Sequence, residues 1–171
     1  MRPTLGLGLS FMALAVGVSA GYHPDVEKVS DFPAGIKVVA LVLKGPRLPS
    51  VDCLKFEDHA VERLQEIKSF TIIPMANVRQ AMFDIGMTEF DTANGPALLD
   101  RLGADTLCEA AILGVGINVC LRQTAKVEVR MISKDGKMLM RGQCYGVKTG
   151  FPNLNKELRN TFDEIIDKAF K

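Results

Sequence analysis

The run IKVVALVL at residues 36–43 constrains the fold of this chain more than any other feature. It is apolar and β-branched almost throughout, without the alternation expected of a strand that has one face in water. Such a run is typical of a strand that is covered on both faces. It predicts a sheet inside a layered α/β arrangement.

The segments that follow continue this arrangement. Apolar residues recur at helical spacing over residues 51–67, which predicts an amphipathic helix, and residues 70–74 (FTIIP) form a second short strand. A strand, helix, strand order predicts a right-handed parallel crossover. Two helices are then expected, one over residues 77–86 with a capping-box start and a terminal glycine, the other with Pro96 in its first turn and Gly103 at its end.

The C-terminal half predicts consecutive strands closed by a helix. Residues 106–121 are mostly apolar, residues 124–133 alternate in polarity, and KDGK at residues 134–137 is a hairpin turn leading to a further strand. Apolar residues spaced by three and four over residues 154–170 predict the last helix. The expected fold class is mixed α/β (α+β), a layered sandwich with a mixed sheet and the element order β-α-β-α-α-β-β-β-α.

GVGINVC, residues 114–120, begins like a dinucleotide-binding fingerprint. Val119 stands where the third glycine is required, and the segment leads into a strand, whereas a phosphate loop must open a helix. We therefore expect a bulge or a bend in a strand.

The first 20 residues have the features of a secretory signal peptide. Arg2 precedes an uncharged apolar run, shorter than the roughly 18 to 20 residues of a membrane span, and a small-residue pattern predicts cleavage after Ala20. Gly21 is not the cysteine that lipid attachment would need, so a soluble, non-lipidated periplasmic chain without a transmembrane segment is expected. Residues 21–35, with two prolines and no periodicity, are expected to be a flexible tether, and residues 36–171 a single domain.

Charge and composition argue against nucleic-acid binding. Removal of Arg2 with the signal peptide leaves 20 Lys and Arg against 20 Asp and Glu, and the two signs are interspersed. The chain has no Trp and two Tyr, so it lacks the usual platforms for base stacking.

Four cysteines remain after the signal peptide: Cys53, Cys108, Cys120 and Cys144. None forms a C-x-x-C motif, and they are equally compatible with small buried apolar side chains or with disulfides. If the first strand and the strand from Thr106 run parallel, Cys53 and Cys120 come to the same end of the sheet. Cys120 and Cys144 would lie two strands apart, about 9 to 10 Å, too far for a bridge. A Cys53–Cys120 disulfide is thus predicted, with Cys108 a free thiol.

No set of residues in the sequence predicts catalysis. There is no G-x-S-x-G motif, and the two histidines, His23 and His59, are too few for a histidine-rich metal site. His59 lies among acidic residues and is expected on a solvated helix face. We expect no enzyme activity, no metal and no cofactor.

The segment from FTIIP to the KDGK hairpin, with a helix ending in Leu102-Gly103-Ala104-Asp105, resembles the family that includes the curli-secretion protein CsgG, the penicillin-binding-protein activator LpoB and the TolB N-terminal domain. Gly103 would end the helix with positive φ, Ala104 would allow close packing, and Asp105 would accept backbone hydrogen bonds, so all three roles are structural. Pro74-Met75 stands where many relatives carry Glu-Arg. The strand turns are too short for the inserted strands of a pore.

The resemblance implies a non-enzymatic periplasmic accessory protein that binds another envelope protein through an exposed sheet edge or helix face. The alternative is a periplasmic carrier of a small ligand or lipid, which needs an apolar cavity of some hundreds of Å³. A thiol-dependent enzyme is the third hypothesis. The sequence does not identify the partner, the binding surface or the oligomeric state.

Overall fold

The structure, a computed structural model, describes residues 21–30, 32–33, 36, 38–45, 51–67, 70–88, 93–118, 121–150 and 153–171. Within these residues the strands are β1 (Gly21–Lys28), β2 (Val38–Lys44), β3 (Thr71–Ile73), β4 (Thr106–Ile117), β5 (Arg122–Ser133) and β6 (Met138–Thr149). The helices are α1 (Cys53–Gln65), α2 (Met75–Asp84), α3 (Gly95–Leu102) and α4 (Leu154–Phe170).

The six strands form one mixed sheet in the order β1-β6-β5-β4-β2-β3. β2 is parallel to both β3 and β4, as the crossover pattern predicts. β4, β5, β6 and β1 pair antiparallel in succession. The sheet therefore has a parallel part near β2 and a long antiparallel part that extends from β4 to β1.

Helices cover both faces of β2. On one face α1 and α4 pack over the main core, where Phe56 and Phe162 meet edge to face with ring centroids 5.7 Å apart. On the other face α2 and α3 enclose a smaller core. Leu41 points into the first core and its neighbour Val42 into the second, which is the arrangement that the unbroken apolar run predicts. The layered mixed α/β fold class is confirmed.

The prediction of a flexible tether at residues 21–35 is wrong for the first eight of these residues. They form strand β1, which pairs antiparallel with β6. Tyr22 fixes this strand to α4, because its hydroxyl donates to Glu157 at 2.8 Å and accepts from Asn160 at 2.8 Å. Burial raises the pKa of Tyr22 to about 12, so the hydroxyl keeps its proton across the neutral range. Pro24 is tolerated because an edge strand leaves alternate N–H groups without a partner. The element order becomes β-β-α-β-α-α-β-β-β-α.

Two helices end at the glycines that the sequence predicts, and one helix begins earlier than predicted. Gly86 and Gly103 have φ of 68° and 63°, in the left-handed region that ends a helix. α2 begins at Met75, directly after Pro74, and not at Asn77 as the capping-box pattern predicted. The fixed φ of proline suits the residue just before a helix, which explains the earlier start.

Residues 1–20, with the expected signal peptide and the cleavage after Ala20, lie outside the described residues, so both stay predictions. Among the helices that the structure describes, none has the length and apolar character needed to cross a membrane.

Candidate functional site

Among the described residues, no strand lies beside one side of β4 over the C-terminal part of this strand. The ladder between β2 and β4 ends where Lys44 pairs with Ala111. A bulge follows between Ile112 and Gly114, as expected for the GVG segment. From Gly114 to Ile117, β4 pairs with β5 alone within the described part of the chain. We call residues Leu113–Ile117 the distal β4 edge.

The distal β4 edge is apolar and exposed. Leu113 and Ile117 are each 45% exposed, and Leu121 in the turn beyond them is 50% exposed. Gly114 and Gly116 add no side chain that could shield the backbone. No residue of the segment LGVGI carries a charge. Within the described part of the chain, this edge combines backbone groups that no second strand pairs with an apolar surface, and both favour the addition of a strand.

The other two sheet edges lack this combination. β1 is eight residues long, but it contains Pro24 and the exposed charged residues Asp25, Glu27 and Lys28. Proline and charges are the usual means by which proteins prevent an edge strand from pairing. β3, at the opposite edge, has only three residues. Beyond Ala40, β2 also has no described strand partner on the β3 side, but Leu41 and Val42 are buried there. Among the described strands, the distal β4 edge is therefore the exposed edge that is longer than three residues and carries neither proline nor charge.

The sheet face opposite α4 carries a row of ion pairs beside this edge. The Glu128 carboxylate accepts from Arg141 at 2.7 Å and from Arg130 at 2.8 Å, and Glu109 lies 3.2 Å from the Lys44 ammonium. Burial alone would raise the pKa of Glu128, but the hydrogen bonds from Arg141 and Arg130 outweigh it and hold this pKa below its usual range. Because each acid is matched by a base, this face has no strong charge of one sign.

The motif residues Gly103, Ala104 and Asp105 lie at the other end of β4, just before Thr106. Ala104 is buried, and its N–H donates to the Leu99 carbonyl at 2.9 Å, which closes α3. The Asp105 carbonyl accepts from the Lys134 N–H at 3.1 Å and so joins this turn to the β5–β6 hairpin. The hydrogen bonds described for these residues are structural. For Asp105 the acceptor is the backbone carbonyl, whereas the sequence predicted the side-chain carboxylate.

The cysteines give little support to thiol chemistry. Cys108 and Cys144 are free and buried, and burial raises the pKa of Cys108 to about 12 and that of Cys144 to about 11. A thiol in such a setting stays protonated and is a poor nucleophile. Cys53 is half-buried, and the structure shows its thiol free, without a disulfide. Cys120 lies outside the described residues, so the Cys53–Cys120 disulfide of the exported protein stays a prediction.

His59 does not lie on a solvated helix face, and that expectation was wrong. Its Nε2 is 2.8 Å from Asp163 Oδ1 on α4, and Arg63, one turn further along α1, contacts Asp163 and Asp167. The sequence did not predict this contact, because Asp163 lies 104 residues from His59 and the acidic residues near His59 indicated a solvated position. Among the described residues, no group of three or more His, Cys, Asp or Glu side chains is placed to hold a metal ion.

The most spacious surface depression among the described residues does not have the character that a lipid carrier requires. The most spacious one described has a volume of about 440 Å³ and lies between α1 and the start of α2. Its rim carries Glu57, Asp58, Glu62 and Gln65, and it is open to solvent. A carrier for an apolar ligand needs an enclosed, mainly apolar cavity.

Sequence reasoning did not find the distal β4 edge, although it located the strand and its bulge. The edge exists because β2 has seven residues and β4 has twelve, so β4 extends beyond its parallel neighbour. In the sequence, the apolar run at residues 36–43 is shorter than the one at residues 106–121, and this difference could have indicated that β4 extends beyond β2.

Comparisons with known proteins relate the chain to solved structures only. No protein-family model matches it, and neither does any curated protein. The PelC dodecamer from Paraburkholderia phytofirmans matches with a TM-score of 0.58 and 14% identity, over 86% of this chain and 98% of that one. Lipoprotein GNA1162 from Neisseria meningitidis matches with a TM-score of 0.55 and 13% identity, over 78% and 97% of the two chains. The LpoB C-terminal domain from Escherichia coli matches with a TM-score of 0.53 and 12% identity, over 71% and 88%.

At these identities the similarity shows a shared fold. It supports the LpoB part of the sequence resemblance. The likeness to CsgG and to the TolB N-terminal domain stays a prediction.

Proposed function

We propose that this chain is a non-enzymatic accessory protein of the cell envelope and that it acts by binding another envelope protein through the distal β4 edge. The observation that carries the proposal is the contrast between sheet edges: Pro24 and charged residues protect β1, whereas Leu113–Ile117 is apolar and unprotected. Addition of a strand to an open edge is an established mode of protein recognition. An open apolar edge without a partner is an aggregation hazard.

The location in the periplasm, without a lipid anchor, is part of the same proposal. The signal-peptide features of residues 1–20 and the absence of a cysteine at position 21 support it. Two of the structural neighbours, a neisserial lipoprotein and the LpoB C-terminal domain, share the fold and are consistent with an envelope setting.

A photo-crosslinking residue at position 113 in the native cells tests the proposal. We expect ultraviolet light to link the chain to one defined envelope protein, which mass spectrometry of the product identifies. The same residue at Phe83, which is 80% exposed on α2, is the matched control and should give no such product. Equal products from the two positions, or none from position 113, would contradict the proposal.

We also propose that Cys53 and Cys120 form a disulfide in the exported protein. Cys53 begins α1, and the ladder of β2 with β4 brings the two strands to a common end near it. Peptide mapping under non-reducing conditions should recover the two cysteines in one linked peptide. Recovery of both thiols in free form would overturn this pairing.

A further inference from the structure

We propose that the groove between α1 and the start of α2 binds a short segment of another protein in which basic and apolar residues alternate. One wall of the groove is α1 from Glu57 to Gln65, and the other is Ile72 on β3 with Pro74–Ala76. We call it the α1–β3 groove, and its volume is about 440 Å³. It shares no residue with the distal β4 edge, so it is a second surface, beyond the proposed function.

The charges that line the α1–β3 groove have one sign. They are Glu57, Asp58 and Glu62, and the lining includes no Lys or Arg. Glu57 is nearly buried and is neutralised by Arg79, whose Nη2 lies 2.6 Å from Glu57 Oε2. Asp58 and Glu62 are exposed, and within the described part of the chain their side chains have neither a hydrogen bond nor an ion pair. Two negative charges are therefore left for a ligand to neutralise.

The spacing of these two acids adds to the attraction. Asp58 and Glu62 are four residues apart on α1, so their carboxylates are neighbours on one face of the helix and repel each other. A cleft lined by charges of one sign concentrates ligands of the opposite sign. A positive group placed between the two carboxylates would relieve the repulsion.

Other depressions of the described surface do not have this charge pattern. The one between the C-terminal ends of α1 and α4 contains Arg63 and Lys171 as well as Asp167. The one beside β1 contains Arg141 as well as Asp25. Acids and bases balance each other in both places, so charge complementarity favours the α1–β3 groove for a basic ligand.

The apolar part of the lining favours a peptide segment over a simple cation. Val61, Ile72 and Met75 line the same groove as the acids. Lys and Arg side chains lay their aliphatic stems on such a surface and hold the charged group beyond it. The stretch of α1 from Glu57 to Gln65 advances about 12 Å along the helix axis. This length accommodates about three to four residues of an extended chain.

Fluorescence anisotropy with a labelled, end-blocked peptide of sequence KLKLK tests the inference on the purified full chain. We expect saturable binding that weakens as salt is added, because salt screens the carboxylates. The peptide ELELE should not bind. The peptide KSKSK keeps the charge but lacks the apolar side chains, and it should bind at least about fivefold more weakly than KLKLK.

A matched pair of double variants assigns the binding to the groove. Asp58→Asn with Glu62→Gln should raise the dissociation constant for KLKLK at least about fivefold. Asp25→Asn with Glu27→Gln removes two exposed acids from β1, at the opposite end of the sheet from β3, and should leave it unchanged. The urea midpoint of the groove variant should be no lower than that of the wild type, because a repulsion is removed. This result excludes unfolding as the cause of weaker binding.

Three outcomes would overturn the inference. Equal weakening by the two double variants would mean that binding follows net charge and not the groove. Equal affinity for KLKLK and KSKSK, or binding of Ca²⁺ without binding of any peptide, would mean that the groove takes a simple cation. Crosslinking at position 113 does not depend on these measurements, so the proposed function can stand or fail separately.

Discussion

Gly142 and Gly146 on β6 show how single residues set the distance between the sheet and α4. A Cβ atom at Gly142 would lie 2.3 Å from Ile165 Cγ2, and one at Gly146 would lie 2.6 Å from Thr161 Oγ1. Both contacts are far below van der Waals distance, so the side chains of Ile165 and Thr161, or α4 itself, would have to move. Neither glycine needs an unusual backbone conformation, which means that the requirement is for space alone.

Gly142→Ala should therefore destabilise the protein by about 1 to 3 kcal/mol, the usual cost of overpacking a core. Urea unfolding followed by circular dichroism measures the change. Gly114→Ala is the matched control, because, apart from the two residues beside it in the chain, no described atom lies within 4 Å of the Cβ that it would add. Similar unfolding midpoints for the two variants would show that α4 is not held as closely as this structure describes.

Glu128 makes stability depend on pH. Its pKa lies below the usual range because hydrogen bonds from Arg141 and Arg130 outweigh the effect of burial. A depressed pKa means that its stabilising effect is present above the ordinary glutamate value of about 4.3 and is lost as pH falls through the lower folded-state value. Glu128→Gln should cost about 1 to 3 kcal/mol near neutral pH.

The difference between Glu128→Gln and the wild type should shrink as the wild-type carboxylate takes up its proton in acid. Urea unfolding at several pH values measures it. Glu62→Gln, on the exposed side of α1, should stay within about 0.5 kcal/mol of the wild type throughout. A cost for Glu128→Gln that does not change with pH would mean that shape, and not charge, explains the role of Glu128.

β1 is the element whose place in the sheet depends most on distant contacts. Tyr22→Phe removes a hydroxyl that bonds to both Glu157 and Asn160, and it should cost about 1 to 2 kcal/mol. Amide hydrogen exchange should become faster in β1 and stay unchanged in β2. Tyr145→Phe, at a half-exposed position on β6, is the control. Equal exchange in β1 for the two variants would rule out the anchoring role of Tyr22.

The outcome at each element shows what local sequence can determine. The run at residues 36–43, the alternation in β5 and the spacing in α4 predicted their elements because burial repeats with the period of the backbone. The sequence did not predict β1, because Pro24 and the charged residues between its inward-facing residues obscure the two-residue alternation that is typical of a strand. The predicted start of α2 was two residues late, because Asn77 and Gln80 have the spacing of a capping box although the helix begins at Met75.

The candidate surface could not be predicted in the same way. The presence of Gly114 and Gly116 indicated a bulge, and the structure contains one between Ile112 and Gly114. Whether that part of β4 is open depends on where β2 ends beside it, and the register between two strands is a tertiary property. Likewise, only the folded chain brings His59 to Asp163.

The outer strands of the sheet bear on the whole molecule, because an unprotected edge strand can pair with an edge of another molecule. β1 lies at one end of the sheet and carries Pro24 and the exposed charged residues Asp25 and Glu27. The proline and charges of β1 therefore affect association between copies as well as the strand that contains them.

Removing the protection of β1 should make copies of the chain associate through β1. In the triple variant Pro24→Val, Asp25→Thr and Glu27→Thr, β1 gains an N–H group and loses two charges on its exposed side. Pairing of β1 with β1 of a second copy would then join two sheets into one. Light scattering should show species larger than the wild type at the same concentration. A triple variant that keeps the wild-type size would show that these residues do not prevent association.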